Sequence, residues 1–386
     1  MAELEKHIKQ KFIALFETEP LLVYSPGRIN LIGEHTDYHE GFVLPAAIDK
    51  KIIVAIAAND LKVARLHALD YEENFKFSLE AFAPKPNHWA TYIMGVVAQF
   101  QQAGHLVEGF DLVFGGDIPV GSGLSSSAAL ECSAGFAIAQ LFGLSIRRLD
   151  LVRMAQKAEH QFAGVKCGIM DQYASVMGKK DHAILLDCRS LESTYFPVDL
   201  GDQQLLLVNT LVKHSLASSA YNERQLECQE GLIAMQQLHP EIKSLRDANL
   251  EVLESVKAQI SLKAFRRCQY VLHENQRVLD ACQLLEKGDL KGFGQKMYAS
   301  HQGLSEEYEV SCPELDFLVD FTKENKSVLG SRMMGGGFGG CTINIIERAA
   351  VTGFKSAVAK AFEDQFGHQP EFYEVELMDG TGLCLP

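Results

Sequence analysis

The chain has 386 residues, of which 47% are hydrophobic and 22% charged, and its formal net charge is −14. This length suggests two or three domains with a sizeable core, and the ordinary composition excludes collagen-like, coiled-coil and disordered proteins. Lysine and arginine are scattered through an acidic sequence. The chain therefore lacks the basic stripe that nucleic acid or an anionic membrane requires, and neither is an expected partner.

The first half of the chain mixes strand and helix patterns. Residues 1–20 predict an amphipathic helix rather than a signal peptide. Strands are predicted over 22–24, 42–48, 52–58, 62–66 and 110–115, and helices over 89–103, with Asn87 as its cap, 128–142 and 149–162. Successive strands joined by short turns favour an antiparallel or mixed sheet with helices on one side. The mostly apolar helix over 128–142 should be buried.

The second half is richer in helices. Strands are predicted over 182–186 and 205–209, helices over 218–238, 262–285 and 313–325, and then a strand–helix–strand succession over 341–346, 352–366 and 372–376. The change of character near Gly201 predicts an N-terminal domain over 1–200 and a C-terminal domain over 201–386. The fold class expected is α+β, with two domains whose mixed sheets carry packed helices.

The cysteines and the apolar runs indicate the compartment. Nine cysteines form an odd set without a C-x-x-C pair, which argues against a disulfide framework and a zinc site and favours the reducing cytoplasm. The longest charge-free apolar run, residues 132–144, is shorter than the ~20 residues that cross a bilayer. No membrane-spanning segment is expected.

Three segments carry side chains suited to chemistry. The first, P-G-R-I-N-L-I-G-E-H-T-D-Y at residues 26–38, combines an arginine, two carboxylates and a histidine around a short apolar run. These groups could hold a polyhydroxylated ligand. A solvated turn between two strands is an equally good interpretation of the residues alone.

The second segment, G-S-G-L-S-S-S-A at residues 121–128, leads from a glycine-rich turn into a helix. It lacks the G-K-[ST] of a Walker A sequence. Backbone N–H groups and the positive end of a helix nevertheless favour phosphate, and hydroxyls can bind magnesium. A serine helix cap after a flexible loop is the structural alternative.

The third segment joins Glu159, near the end of a predicted helix, to Asp171, which follows a glycine-containing turn. The two carboxylates could supply a magnesium ligand and a base. The residues alone favour a simpler interpretation, in which Glu159 lies on the surface and Asp171 caps the next helix.

The order of these segments, followed by the glycine-rich loop at 335–340, resembles the motif set of the GHMP small-molecule kinases. The stretch G-R-I-N-L-I-G-E-H-T-D-Y at 27–38 resembles the signature of the galactokinase family almost letter for letter. The resemblance implies a two-domain GHMP-kinase-like fold with the active site in the interdomain cleft. It also implies ATP-dependent phosphorylation of the anomeric C1 hydroxyl of α-D-galactose, which gives galactose 1-phosphate and ADP in the Leloir pathway.

The same resemblance assigns roles to individual residues. Asp171 would face the C1 hydroxyl as the base, with Arg28 beside it, and Ser127 and Glu159 would be the magnesium ligands. The sugar would be held by Glu34, His35, Thr36, Asp37, Gly168 and Tyr221. The triphosphate of ATP would be wrapped by Gly121, Ser122, Gly123, Leu124, Ser125, Ser126 and Ser127. The cofactor expected is Mg²⁺, the substrates are galactose and ATP, and the protein is expected to be a monomer.

Alternatives remain within and outside this class. Related kinases for N-acetylgalactosamine, arabinose or galacturonate share much of the signature. A catalytically silent sugar sensor would be expected to lack part of the phosphate loop, which is intact here. A metal hydrolase would need a His/Asp ligand spacing that this sequence does not contain. Whether Asp171 removes the proton or only orients the hydroxyl stays open.

Overall fold

The computed structural model describes residues 3–119, 121–212 and 217–384, and only the backbone of 217–219. The helices of this part of the chain are α1 (Glu3–Phe16), α2 (Ala90–Gln102), α3 (Ser126–Leu141), α4 (Arg148–Ala158), α5 (Met170–Met177), α6 (Ala217–Leu238), α7 (Leu250–Ser255), α8 (Leu262–Glu286), α9 (Leu290–Gln302), α10 (Pro313–Lys323) and α11 (Val351–Phe366). The strands are β1 (Leu21–Asn30), β2 (Phe42–Val43), β3 (Pro45–Ala58), β4 (Val63–Ala68), β5 (Glu73–Ser78), β6 (Phe110–Gly116), β7 (His182–Asp187), β8 (Ser193–Pro197), β9 (Gln203–Asn209), β10 (Val328–Met333), β11 (Cys341–Glu347), β12 (Glu371–Val375) and β13 (Gly382–Leu383).

The strands form three sheets. A six-stranded sheet has the order β13-β1-β3-β6-β4-β5, and its only parallel pair among the described strands is β4 with β6. A four-stranded antiparallel sheet has the order β10-β11-β9-β12, and a three-stranded one has the order β2-β7-β8. The mixed sheet with packed helices confirms the expected α+β class.

Helix α3 packs on β1 and β3. Its side chains are apolar around nearly the whole circumference, and eleven of its sixteen residues are buried. A helix with this distribution must be covered on all sides, as the sequence predicts. The glycine- and serine-rich loop before α3 contacts β1, where the Arg28 backbone N–H donates to Leu124 O at 3.2 Å.

The two halves of the chain share one core. The largest apolar cluster contains Ile138 from the first half together with Leu205 and Val278 from the second. The strand at the end of the chain, β13, pairs with β1 in the sheet of the first half. The division between residues 200 and 201 stays a prediction.

Several predicted element bounds are wrong. Strand β3 runs unbroken from Pro45 to Ala58, where two strands were expected, because its pairing with β1 resumes at Ala47 after the register shift that follows Lys51. Asn87 does not cap α2, since the residue preceding that helix is Trp89. Several elements have no counterpart among the predictions, namely the short β5, β8, β10, β13 and α7, and the thirteen-residue α9. No helix in the described residues has both the length and the apolar character required to cross a bilayer.

Candidate active site

The signature loop between β1 and β2 is buried and fastened by α8. Tyr270 donates its hydroxyl to the backbone oxygen of Glu34 at 3.0 Å, and Glu274 Oε1 accepts from Gly33 N at 2.9 Å. Gly33 has a φ of 102°, and a Cβ there would lie 2.8 Å from a backbone oxygen, so glycine is required. The interpretation as a solvated turn is therefore wrong.

A cavity of about 620 Å³ opens between the signature loop, the turn before α5, the first part of α6 and the glycine-rich loop at 335–338. It brings together most of the residues singled out in the sequence. Those in its wall are Arg28, Glu34, His35, Asp37, Glu159, Gly168, Asp171 and Tyr221. Thr36 lies behind the wall, where its hydroxyl donates to the loop's own backbone at Gly33 and Phe42.

Asp171 and Arg28 form a bidentate ion pair at the floor of the cavity. Arg28 Nε lies 2.8 Å from Asp171 Oδ1, and Nη2 lies 3.0 Å from Oδ2. Ser125 donates to Oδ2 at 2.5 Å. Helix α5 begins at Met170, so Asp171 is inside its first turn and its carboxylate is turned toward Arg28. The prediction that Asp171 caps this helix is wrong.

A register shift in β1 directs Arg28. The pairing of β1 with β3 is interrupted between Pro26 and Arg28, and such irregularities re-aim side chains. The Arg28 guanidinium also donates from Nη1 to the Gly123 oxygen at 2.6 Å, and its backbone N–H donates to Leu124 O at 3.2 Å. Arg28 thus joins the signature to the glycine- and serine-rich loop.

Glu34 faces the late glycine-rich loop. Its Oε1 accepts from Gly335 N at 2.8 Å and lies 3.3 Å from Nη2 of Arg332, whose side chain is fully buried. Glu34 is 2% exposed, so this ion pair compensates a buried charge. Nothing in the local sequence around Arg332 signals this contact, because its partner is about 300 positions away.

His35 lies among aromatic rings. Its Nδ1 is 2.6 Å from the Tyr38 hydroxyl, which is 2.9 Å from the Tyr308 hydroxyl, and the Tyr221 ring is 5.3 Å away. Burial, and next to it the neighbouring His39, lowers the pKa of His35 to about 3. The imidazole is therefore neutral at pH 7. Its buried Nε2 has no hydrogen-bond partner in the part of the chain described.

Asp37 and Gly168 are in direct contact. A Cβ at Gly168 would lie 1.7 Å from Asp37 Oδ2, so only glycine fits beside this carboxyl. Burial, and then the charge of Asp171, raises the pKa of Asp37 to about 7. The carboxyl can therefore donate as well as accept hydrogen bonds near neutral pH.

The loop at 121–127 lies beside the cavity and leads into α3. Gly121 and Gly123 both have a φ of 77°, and the residue preceding α3, Ser125, has a φ of 60° and makes no capping hydrogen bond with its side chain. A Cβ on Gly335 would lie 3.6 Å from the Gly123 oxygen, so the two glycine-rich loops are close neighbours. The serine-cap alternative is wrong.

Ser127 and Glu159 form a pair of oxygen donors next to this loop. Ser127 Oγ is 3.1 Å from Glu159 Oε1, and Glu159 begins the single π-helical turn that follows α4. Glu159 is 7% exposed, so the prediction of a surface residue is wrong. Burial, and then Asp171, raises its pKa to about 6. A cation beside Glu159 would offset the cost of its buried charge.

The described residues contain no group of three or more His, Cys, Asp or Glu side chains placed to hold a metal. Magnesium is commonly bound by one or two protein oxygens together with water and substrate phosphates. Ser127 and Glu159 fit that mode of binding. Cys167 Sγ lies 3.5 Å from Glu159 Oε2, and burial raises the pKa of this thiol, so it is not activated as a nucleophile.

Two buried residues that the sequence analysis passed over, Glu131 and Gln172, lie behind Glu159. Gln172 Nε2 is 2.7 Å from Glu159 Oε2 and 3.3 Å from Glu131 Oε2. A signal for Glu131 existed, because it is the one charged residue in the apolar helix α3.

Comparison with known proteins agrees with this architecture. Family models match for the GHMP kinases N-terminal domain at residues 91–179 and the GHMP kinases C-terminal region at 281–364. A Methanococcus jannaschii mevalonate kinase shares the fold, with a TM-score of 0.66 over 94% of this chain and 99% of that one at 15% identity. Fold and motifs together define a GHMP kinase.

Closer relatives narrow this class. The galactokinase galactose-binding signature matches residues 10–58. A galactokinase of Thermotoga maritima is 41% identical over 93% of this chain and 99% of its own length. The structure of Lactococcus lactis galactokinase complexed with galactose superimposes with a TM-score of 0.94 at 35% identity, over 98% and 99% of the two chains. The chain belongs to the galactokinase family.

Proposed function

We propose that this protein catalyses the ATP-dependent phosphorylation of the C1 hydroxyl of α-D-galactose, giving galactose 1-phosphate and ADP. The observation that carries the proposal is the Arg28–Asp171 pair in the wall of a cavity whose other polar groups come from the galactose-binding signature. Relatives named galactokinase over nearly the whole chain support the same activity.

Asp171 is suited to receive the sugar hydroxyl. Its Oδ2 accepts from both Arg28 and Ser125, whereas Oδ1 accepts from Arg28 alone within the described residues. A carboxylate oxygen can accept two hydrogen bonds, so Oδ1 has room for the C1 hydroxyl. There it takes the proton as the hydroxyl oxygen attacks the γ-phosphorus, or orients that hydroxyl. Arg28 supplies positive charge next to the reacting oxygen.

The sugar-binding role extends to the other residues of the cavity wall. Glu34, neutral His35, Asp37 and the Tyr221 ring offer acceptors, donors and an apolar face, which is the combination that recognises a sugar. Gly168 leaves the space that Asp37 occupies. Thr36 contributes through the shape of the loop, since its hydroxyl is bonded to backbone.

ATP binds with its phosphates at the loop formed by residues 121–127. Free backbone N–H groups at the start of α3 and the positive end of the helix favour phosphate there. Ser127 and Glu159 would hold magnesium, which when bound to the phosphates neutralises charge on the transferred group.

We further place the protein in the cytoplasm as a monomer, and its nine free cysteines fit a reducing compartment.

A sugar panel tests the proposal. ATP consumption is measured with galactose, glucose, N-acetylgalactosamine, arabinose and galacturonate, and the product is identified by phosphorus NMR. We expect fastest turnover with galactose, phosphate on C1, and loss of turnover after chelation of divalent ions. Phosphate on C6, faster turnover of another sugar, or galactose binding without ATP consumption would each contradict the proposal.

A further inference from the structure

Glu131 is a carboxyl group in the middle of the apolar helix α3. It lies four residues after Ser127, so the two side chains share one face of the helix. Its side chain is fully buried, where an ionisable group is costly unless it is partnered or neutral. An apolar side chain of similar size would stabilise the packing at this position better than a carboxyl group.

The partner of Glu131 is the carboxamide of Gln172, the residue after Asp171. Gln172 is fully buried, and its Nε2 carries two N–H bonds. These reach Glu159 Oε2 at 2.7 Å and Glu131 Oε2 at 3.3 Å. One amide group therefore links the two carboxyl groups.

This link determines which oxygen of Glu159 is available. With Oε2 bound by Gln172, Oε1 is the oxygen that lies 3.1 Å from Ser127 Oγ. Removal of Glu131 would free the Gln172 amide to rotate away from Glu159. Burial, and then the charge of Glu159, raises the pKa of Glu131 well above its usual range.

We propose that Glu131, acting through Gln172, is a positioning residue for the metal-binding carboxylate of Glu159. The inference rests on the proposed function, because Glu159 holds magnesium only in that proposal. Outer hydrogen-bond partners orient metal ligands, and their loss typically weakens metal affinity or activity about 10–100-fold.

The test compares the full-length wild type with Glu131→Ala, Glu131→Gln and Glu131→Met. Three quantities are measured: Mn²⁺ binding in the presence of ADP by electron paramagnetic resonance, galactose binding by calorimetry, and the magnesium dependence of turnover. We expect Glu131→Ala and Glu131→Met to weaken Mn²⁺ binding about 10-fold or more with galactose affinity unchanged. Glu131→Gln should restore Mn²⁺ binding, because its amide oxygen can accept from Gln172.

Several outcomes would overturn the inference. One is a variant that melts earlier but binds Mn²⁺ as the wild type does, since Glu131 would then be purely structural. Another is equal loss in Glu131→Gln and Glu131→Ala. Glu131→Met keeps the volume of the side chain, so it tests the idea if Glu131→Ala does not fold. Failure of the proposed function is distinguishable, because the wild type itself would then show no magnesium-dependent phosphorylation of galactose.

Discussion

Asp171 is held from two sides, by the guanidinium of Arg28 and by the hydroxyl of Ser125. Substitution Asp171→Asn keeps the size of the side chain but removes its charge and its capacity to accept a proton. We expect kcat to fall about 10²–10⁴-fold, while folding and galactose binding persist. Steady-state kinetics, calorimetry and thermal melting on the same preparation measure the three effects.

The matched control for this variant is Asp320→Asn, which makes the same change at an exposed position of α10. It should leave all three quantities unchanged within error, since surface substitutions cost little. Turnover of Asp171→Asn close to wild type would leave Arg28 and the metal ion as the catalytic apparatus.

Asp37 makes stability depend on pH. Its pKa is raised from 3.8 to about 7 in the folded protein, by burial first and then by Asp171. Between these values the folded state holds a proton that the unfolded chain has released, so this carboxyl destabilises the fold increasingly as pH rises from about 4 to 7. The effect is absent below pH 3.8, where both states are protonated.

Asp37→Asn removes this titration while keeping the shape of the side chain. Relative to the variant, the wild type should lose free energy of unfolding as pH rises through this window. Urea unfolding of both proteins at several pH values gives the difference directly. A difference that does not change with pH would show that Asp37 titrates normally.

Helix α8 is the element that fastens the signature loop. Glu274 accepts from Gly33 N in that loop and from Ser300 in α9, and it is paired with Arg277. Glu274→Ala would leave Arg277 and a buried N–H group without their partner, which we expect to cost about 3–5 kcal/mol. Denaturant unfolding measures the loss, and the KM for galactose should rise because the loop is released.

Gln276→Ala supplies the control on the same helix, since Gln276 is exposed and its side chain donates to Asp280 one turn further along α8. It should change stability by less than about 0.5 kcal/mol. Equal effects of the two substitutions would mean that α8 does not hold the loop through Glu274.

Among the secondary-structure elements, prediction from sequence succeeded where the hydrophobic pattern extended over many residues. The helix predicted over residues 262–285 is α8 within one residue, because a buried face repeated over seven turns leaves a clear period. For β3 the sequence instead predicts two strands that are separated at the polar residues 49–51. The reason is that the alternation of apolar and polar residues reports burial rather than backbone pairing. Neither the sequence of α8 nor that of the signature loop indicates that the two segments are in contact.

The two halves of the chain should unfold together, because they share one apolar core. Ile138 and Val278 belong to one apolar cluster, and Thr381 near the end of the chain bonds to Ser25 in β1 at 2.7 Å. We expect one cooperative thermal transition, which galactose at 100 times its dissociation constant stabilises by about 2.7 kcal/mol. Calorimetry checks this. Two separate transitions, only one of them moved by galactose, would instead show independent domains.

The order of amino acids was enough to identify the family motifs, the α+β class and the buried character of α3. These are local properties, because a motif or a hydrophobic period is complete within a short stretch of chain. The resemblance of residues 27–38 also named most of the side chains that line the cavity, including Arg28 and Asp37.

Only the tertiary structure decided what each of these residues touches. Asp171 has the sequence context of a helix cap, yet its carboxylate pairs with Arg28, 143 positions earlier. The raised pKa of Asp37 and the link from Glu131 to Glu159 likewise depend on burial and on neighbours from distant segments. Electrostatic and hydrogen-bonding environments arise from proximity in space, which local sequence patterns do not encode.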